Sequence, residues 1–251
     1  MTNLLSSEEV SLTIVIVTKD NISDLISTLD SIRDLPAVKI LIVNGSNSPI
    51  QKNPRIKKMK YTQVIEGPDA GIYFGMNRGL MNVTTRYVWF LNSGDRFLSS
   101  APLQDFLDKM NQKKLDVLIS LQTPARKFPR TSLVFSKPLL IAGLKPIPHQ
   151  STIFKTSTLQ SIGGYDTRYG IEADQELYIR LVILKAKFGC KMKRLSHHKP
   201  GGIGDLQKPG IFQSQVQAIL RDLCHKPNKL ERSVNFVVSF AGRLHKNASR
   251  R

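Results

Sequence analysis

Between Glu66 and Asp95 the chain reads EGPDAGIYFGMNRGLMNVTTRYVWFLNSGD, two acidic turns set around one apolar strand. Carboxylates so placed suit the chemistry of a diphosphate and a divalent metal, since a cation held by a carboxylate can neutralise charge on phosphate oxygens. The run Tyr87 to Leu91 is dense in β-branched and aromatic residues and stops at Asn92-Ser93-Gly94-Asp95, where Gly and Asn tolerate the positive φ of a sharp turn. Asp95 thus stands at a strand's carboxyl end, the edge of an open α/β sheet where ligands bind. Taken alone, the tetrapeptide reads equally well as an ordinary polar turn.

The elements around it must place Asp95 at such an edge. Leu12 to Val17 is an apolar run rich in Ile and Val, a strand buried on both faces, ending at Thr18-Lys19-Asp20-Asn21. Ile22, Leu25, Ile26, Leu29 and Ile32 follow at helical spacing, with Asn21 or Ser23 as N-cap. Lys39 to Val43 is a second buried strand, which completes a βαβ unit with both strands ending in polar loops on one edge. Tyr61 to Glu66 predicts a third strand, Gly71 to Val83 a helix, Arg86 to Leu91 a strand, Pro102 to Gln112 a helix and Leu115 to Leu121 a strand. Gly75 and Gly79, one helical turn apart, allow their helix to approach another backbone or a ligand closely. This alternation predicts an α/β fold with a mostly parallel sheet and helices on both faces.

The second half is different. Residues 124–148 are rich in proline around a short strand candidate, Ser132 to Phe135, and read as a loop-rich cover for a site. Gln150 to Phe154 predicts a strand, Glu172 to Lys185 a helix, Cys190 to Leu195 a short strand, and Phe212 to Cys224 and about 228–245 two terminal helices.

Composition bounds the function. With 251 residues and 41% hydrophobic content, the chain can fill the core of one large α/β domain with an appendage. No apolar stretch approaches the roughly 20 residues of a membrane span, and MTNLLSSEEV is no leader, so a cytoplasmic protein is expected. Cys190 and Cys224 are far apart and point to buried free thiols, not to a zinc or disulfide framework. The net charge of +18 implies an anionic partner: nucleic acid, a phosphorylated small molecule or an anionic membrane. Neither interleaved aromatics nor a basic recognition helix is present, so nucleic acid is not expected. Around Leu230, Val234, Val237, Ala241 and Leu244 the C-terminal segment is basic, which suits packing on the core or contact with an anionic membrane surface.

In order and spacing, LTIVIVTKD (12–20), ILIVNGSNS (40–48), GPDAGIYFGMNRG (67–79) with LNSGD (91–95), and GGYDTRYGIEADQELYIRL (163–181) resemble the family 2 glycosyltransferases of GT-A fold, especially the bacterial branch that builds polysaccharides on lipid carriers. The resemblance covers about residues 11–200. It implies a Rossmann-like GT-A domain over 1–205, with a nucleotide-binding half at about 11–121 and an acceptor half at about 122–205, then a basic helical extension at 206–251. It also implies an inverting transfer from a nucleotide-diphosphate sugar donor to a saccharide or polyprenyl-diphosphate-linked acceptor, aided by Mg²⁺ or Mn²⁺, at the inner face of the plasma membrane.

The resemblance assigns roles residue by residue. Asp95 is the metal ligand, and Asn92 stands where many relatives carry the first acidic residue of a D-x-D motif. Thr18, Asn44 and Asp69 meet the nucleotide, Asn44 replacing a usual Asp. As bare residues, Thr18 reads equally as a helix cap, Asn44 as a left-handed turn residue and Asp69 as the stabiliser of a Pro-Asp turn. Asp174, in Glu172-Ala173-Asp174, matches the catalytic base, with Glu172 in support; the bare reading is an acidic residue at a helix N-terminus. His149 and Gln150 face the acceptor side by the same pattern, and a histidine of the pair His197-His198, with His198 the candidate, meets metal or diphosphate. Asn44 and Asn92 also admit an alternative, a nucleotide-sugar-binding protein with a degenerate site.

Overall fold

A computed structural model describes residues 10–35, 38–59, 62–98, 103–123, 147, 149–201, 211–223 and 226. The strand at 132–135, the helix at about 228–245 and Cys224 lie outside these residues.

Strands β1 (Leu12–Thr18), β2 (Val38–Asn44), β3 (Thr62–Glu66) and β4 (Tyr87–Asn92) are parallel, in the order β3-β2-β1-β4. Their apolar runs form strands because both faces are covered. Leu12, Ile14 and Ile16 with Tyr87, Trp89 and Leu91 fill one core layer, and Val15 and Val17 with Val88 and Phe90 the other. Helices α1 (Ile22–Ile32) and α4 (Leu103–Lys113) cover the first layer, while α3 (Ile72–Met81), α6 (Ala173–Ile183) and α7 (Ile211–Asp222) cover the second. A short helix, α2 (Pro54–Lys57), links β2 to β3. Asn21 is the α1 cap, its side chain accepting the Asp24 N–H.

Two further glycines let α3 lie low on the sheet. A Cβ on Gly79 would stand 2.4 Å from Val15 Cγ1, and one on Gly75 would stand 3.1 Å from Val17 Cγ1.

Past β4 the order runs β7-β6-β8-β5, with β5 at Arg96–Phe97, β6 at Val117–Thr123, β7 at Thr152–Lys155 and β8 at Phe188–His197. Strand β7 is antiparallel to both β4 and β6, β8 is parallel to β6, and β5 is antiparallel to β8. The predicted strand at Gln150 to Phe154 begins later than expected, because His149–Ser151 forms a 3-10 turn with all three side chains buried. A helix absent from the sequence reading, α5 (Thr156–Ser161), follows β7.

One constraint shapes the whole sheet. Strand β5 starts at Arg96, and β4 ends at Asn92, so the intervening residues reach at most about 14 Å. Yet β7, β6 and β8 separate them in the strand order. The sheet must therefore curl until the carboxyl end of β8 comes beside the end of β4. Among the described residues no helix is long and apolar enough to cross a membrane. Cys190 is a free thiol, only half-buried.

Candidate active site

The curl assembles the first cluster. Asp95 is 2% exposed, and its Oδ1 accepts His198 Nδ1 and the Lys199 N–H, both at 3.0 Å. Its Oδ2 accepts the Asn92 N–H at 3.3 Å, which closes the turn on itself. Gly94 holds φ at +97° in that turn and donates its N–H to Thr28 Oγ1 on α1. Gln150 Nε2 lies 3.3 Å from the same His198 nitrogen, and Gln150 O accepts the indole N–H of Trp89, buried in β4.

Asn92 turns the other way. Its Nδ2 donates to His149 Nε2 at 3.1 Å, so the opposite ring nitrogen carries the proton. That nitrogen, His149 Nδ1, stands 3.6 Å from Asp174 Oδ2. Asp174 lies in the first turn of α6, 5% exposed, with Oδ1 accepting the Gln175 N–H. Chain direction into this helix is set by Gly170, at φ 52° and ψ −124°, which kinks the preceding 3-10 segment Thr167–Glu172. Tyr73 packs edge-on to His149, and burial, with the Asp174 charge next, pushes its hydroxyl pKa well above the ordinary range. It stays a neutral donor, bonded at 3.4 Å to Ile171 O.

Asp174, His149, Asn92, Asp95, His198 and Gln150 therefore make one connected set at the sheet edge. His197 does not join it: it ends β8 in register with Arg96 of β5, and its Nδ1 is buried with no hydrogen-bond partner among the described residues. Glu172 is 1% exposed and sits just ahead of Asp174.

Beside this cluster lies a pocket of about 290 Å³ lined by Thr18, Asp20, Asn21, Ile22, Asn44, Ser46, Ser48 and Ile50, at the carboxyl ends of β1 and β2. Ser93 ties the two together: its N–H donates to Val17 O and its hydroxyl to Asn21 O. Thr18 also makes a long hydroxyl contact, 3.5 Å, to Asn21 O at the start of α1. Asn44 is 0% exposed and lies outside the positive-φ positions, so it is no left-handed turn residue. Its Nδ2 donates to Ser48 O and Glu66 Oε2, and its Oδ1 accepts the Ser46 N–H. Asp69 closes its own turn through the Gly71 N–H and lies over Gly45, where a Cβ would stand 2.3 Å from Asp69 Oδ2.

The first cluster presents oxygen and imidazole donors of the kind a divalent cation takes. Asn92 Oδ1 is buried with no hydrogen-bond partner among the described residues, an acceptor oxygen on the residue whose main-chain N–H bonds the Asp95 carboxylate. Oxygens with one imidazole suit Mg²⁺ or Mn²⁺. Among the described residues no group of three His, Cys, Asp or Glu side chains could hold a metal. The residues therefore fit a cation whose remaining ligands come from a bound diphosphate and water.

Sequence reasoning missed Glu66 as a site residue and the kink at Gly170. The first had a readable signal: a carboxylate ending an apolar strand on the ligand-binding edge.

The architecture is that of the GT-A glycosyltransferases: S. aureus TarS, residues 1-349, matches with a TM-score of 0.66 at 16% identity, covering 90% of this chain and 69% of that one. The same TarS segment in complex with UDP-GlcNAc gives 0.65 at 17% identity, over 90% of this chain and 70% of that one. The mannosyltransferase PcManGT of Pyrobaculum calidifontis, in complex with GDP-Man and Mn²⁺, gives 0.62 at 13% identity, over 93% and 80%. In sequence, two Mycobacterium tuberculosis proteins, one from each of two strains and both named uncharacterized glycosyltransferase, are 31% identical to this chain over 161 residues. That stretch is 57% of this chain and 60% of each relative, so the chain spans well under their full length. No family model matches the chain. These relatives agree with the resemblance to family 2 enzymes read from the sequence.

Proposed function

We propose that the chain is an inverting glycosyltransferase, moving a sugar from a nucleotide-diphosphate donor to a hydroxyl of a saccharide or lipid-linked acceptor in cell-surface polysaccharide synthesis. One observation carries the reading: Asp95 and Asp174 are joined through Asn92 and His149 beside a pocket at the ends of β1 and β2. In this arrangement the nucleoside occupies the pocket, with Thr18 and Asn44 in its walls and Asp69 beside it. The diphosphate runs past Ser93 toward Asp95, and the sugar lies between Asp95 and Asp174.

Asp174 takes the proton of the acceptor hydroxyl as that oxygen bonds to the anomeric carbon, while the bond to the diphosphate breaks and its electron pair leaves with the phosphate oxygen. His149 holds Asp174 on one side and Asn92 on the other, and so fixes the separation of base and leaving group. Gln150 and His198 orient the Asp95 carboxylate. Mg²⁺ or Mn²⁺, when bound, supplies charge stabilisation to the departing diphosphate, and Asp95 with Asn92 Oδ1 and His198 would hold it. Support for a nucleotide-sugar donor comes from the neighbours with UDP-GlcNAc and with GDP-Man and Mn²⁺.

The nucleotide-binding half is assigned to about 11–121, the acceptor half to about 122–205, and the basic extension, 206–251, to an anionic membrane surface on the cytoplasmic side. Deleting 228–251 is expected to reduce co-sedimentation with anionic vesicles; unchanged co-sedimentation overturns the membrane assignment.

Three donors already engage Asp95, which favours a second reading, a protein that binds nucleotide-sugar without transferring it. Thermal-shift screening with uridine, guanosine and thymidine diphosphates, with and without Mn²⁺, followed by release of nucleoside diphosphate from the matching sugar donor, separates the two. Binding with turnover supports transfer, binding alone supports the second reading, and neither defeats both.

A further inference from the structure

The carboxyl end of β3 carries a carboxylate with no part in the transfer chemistry above. Glu66 is paired in register with Asn44, the last residue of β2. Its Oε2 accepts Asn44 Nδ2 at 2.7 Å, and its Oε1 accepts the main-chain N–H of Ile50 at 2.8 Å and of Gln51 at 2.9 Å. Asn44 passes the constraint on, donating to Ser48 O at 2.8 Å and accepting the Ser46 N–H at 3.1 Å. Ser46 Oγ in turn accepts the N–H of Asp20, a non-glycine residue held at φ 53°. Asp20, Asn44, Ser46, Ser48 and Ile50, all tied to this network, line the pocket of about 290 Å³.

We infer that Glu66 is the positioning residue of the nucleoside pocket, fixing the wall from 44 to 51 through Asn44 and leaving Asp20, Ser46 and Ser48 to meet the nucleoside. This rests on the nucleotide-donor reading given above. Both amide protons of Asn44 are consumed within the wall and its side chain is fully buried, so it offers a bound nucleoside no donor. Only a carboxylate can serve all three of Glu66's donors, since an amide at 66 would turn an N–H₂ toward Asn44 or toward the Ile50 and Gln51 N–H groups. Charged acceptors also make the shorter and stronger bonds. Burial pushes the Glu66 carboxyl up, but hydrogen bonds from Asn44, Gln51 and Ile50 outweigh it and hold the group below the usual carboxylate range. Asp20 and the Ser46 and Ser48 hydroxyls present acceptors and donors suited to ribose hydroxyls and a polar base edge.

The experiment measures calorimetric affinity for the nucleoside diphosphate that the wild-type full chain binds best, with Mg²⁺, in a set of variants. Glu66→Gln leaves a donor facing donors and is expected to weaken binding ~10- to 100-fold, with an unchanged far-ultraviolet spectrum. Asn44→Asp sets two carboxylates at the 2.7 Å contact and is expected to weaken it at least as much. The double variant Asn44→Asp with Glu66→Gln restores a carboxylate–amide pair and is expected to bind at least tenfold tighter than Asn44→Asp alone, a recovery that general loss of stability would not produce. Glu66→Gln within twofold of wild type, or no recovery in the double variant, overturns the inference and leaves the donor reading standing. Failure of the wild-type chain to bind any of the three diphosphates defeats both.

Discussion

Asp174 and Asp95 have separable tasks, and the surroundings of each show how to separate them. Asp174→Asn keeps the size of the side chain and its contact with the Gln175 N–H but removes the basic oxygen. Transfer is expected to fall at least ~10²-fold, the scale of general-base catalysis, while calorimetry finds donor affinity within a few-fold of wild type. Retained transfer would move the base elsewhere. Asp95→Ala removes the acceptor of the His198 and Lys199 bonds as well as the carboxylate that would face a cation. Donor binding with Mn²⁺ is expected to weaken until it matches wild-type binding in a chelator, and a remaining metal dependence would assign the cation to other residues. At this scale the place of Asp95 was legible because it sits in the turn that leaves an apolar strand. The joining of Asn92 to Asp174 through His149 was not, since nothing in a linear sequence sets residues 57 apart at 3.1 Å.

Elements carry the same lesson with different reasons. The parallel strands could be read from their apolar runs, because burial on both faces leaves a continuous signature. Strand β5 is two residues long and carries none, and α5 is a single short helix that gains its order from packing Leu159 into the core. The 3-10 turn at His149–Ser151 was hidden because buried polar side chains there mimic the start of a strand. Gly75 and Gly79 were read as allowing close approach to a backbone or a ligand, and the atoms nearest their faces are the valine side chains of β1 and, at Gly75, the Asp69 carboxylate. Gly79→Ala would force its methyl against Val15, and we expect a loss of about 1–3 kcal/mol, seen as a lower thermal midpoint with the α/β spectrum retained. An unchanged midpoint would mean that α3 can lift from the sheet at no cost.

For the molecule as a whole, acid should be more damaging than mild base. Burial opposes ionisation of Glu66, yet bonds from Asn44, Gln51 and Ile50 lower its carboxyl, and the Arg168 guanidinium lowers that of Asp166. A carboxyl lowered in the folded state stabilises it above its unfolded pKa, near about 4, and that contribution disappears as pH falls through the folded value. Glu176 has the opposite sign: burial raises its carboxyl despite the Arg180 pair, so its part is lost as pH rises. Because among the described residues more carboxyls are lowered than raised, the thermal midpoint is expected to fall steadily from pH 6 toward pH 3. A flat profile across that range would mean that these bonds persist in the unfolded chain. The net charge of +18 works in the same direction, since protonating carboxylates adds to self-repulsion.

The return of the sheet on itself has a mechanical outcome. Asp95 is covalently part of the link from β4 to β5, while its carboxylate is bonded to the residues that leave β8, so the inner wall of the cleft is laced shut from both sides. Main-chain ladders join every neighbouring pair of strands from β3 through β7 and β6 to β8, with register shifts only between β6 and β8, and prising the halves apart would rupture them. Among the described residues these bonds oppose a clam-shell movement as the way in for donor or the way out for spent nucleotide. Traffic must pass over the rim, and small-angle scattering should record the same radius of gyration with and without a nucleoside diphosphate.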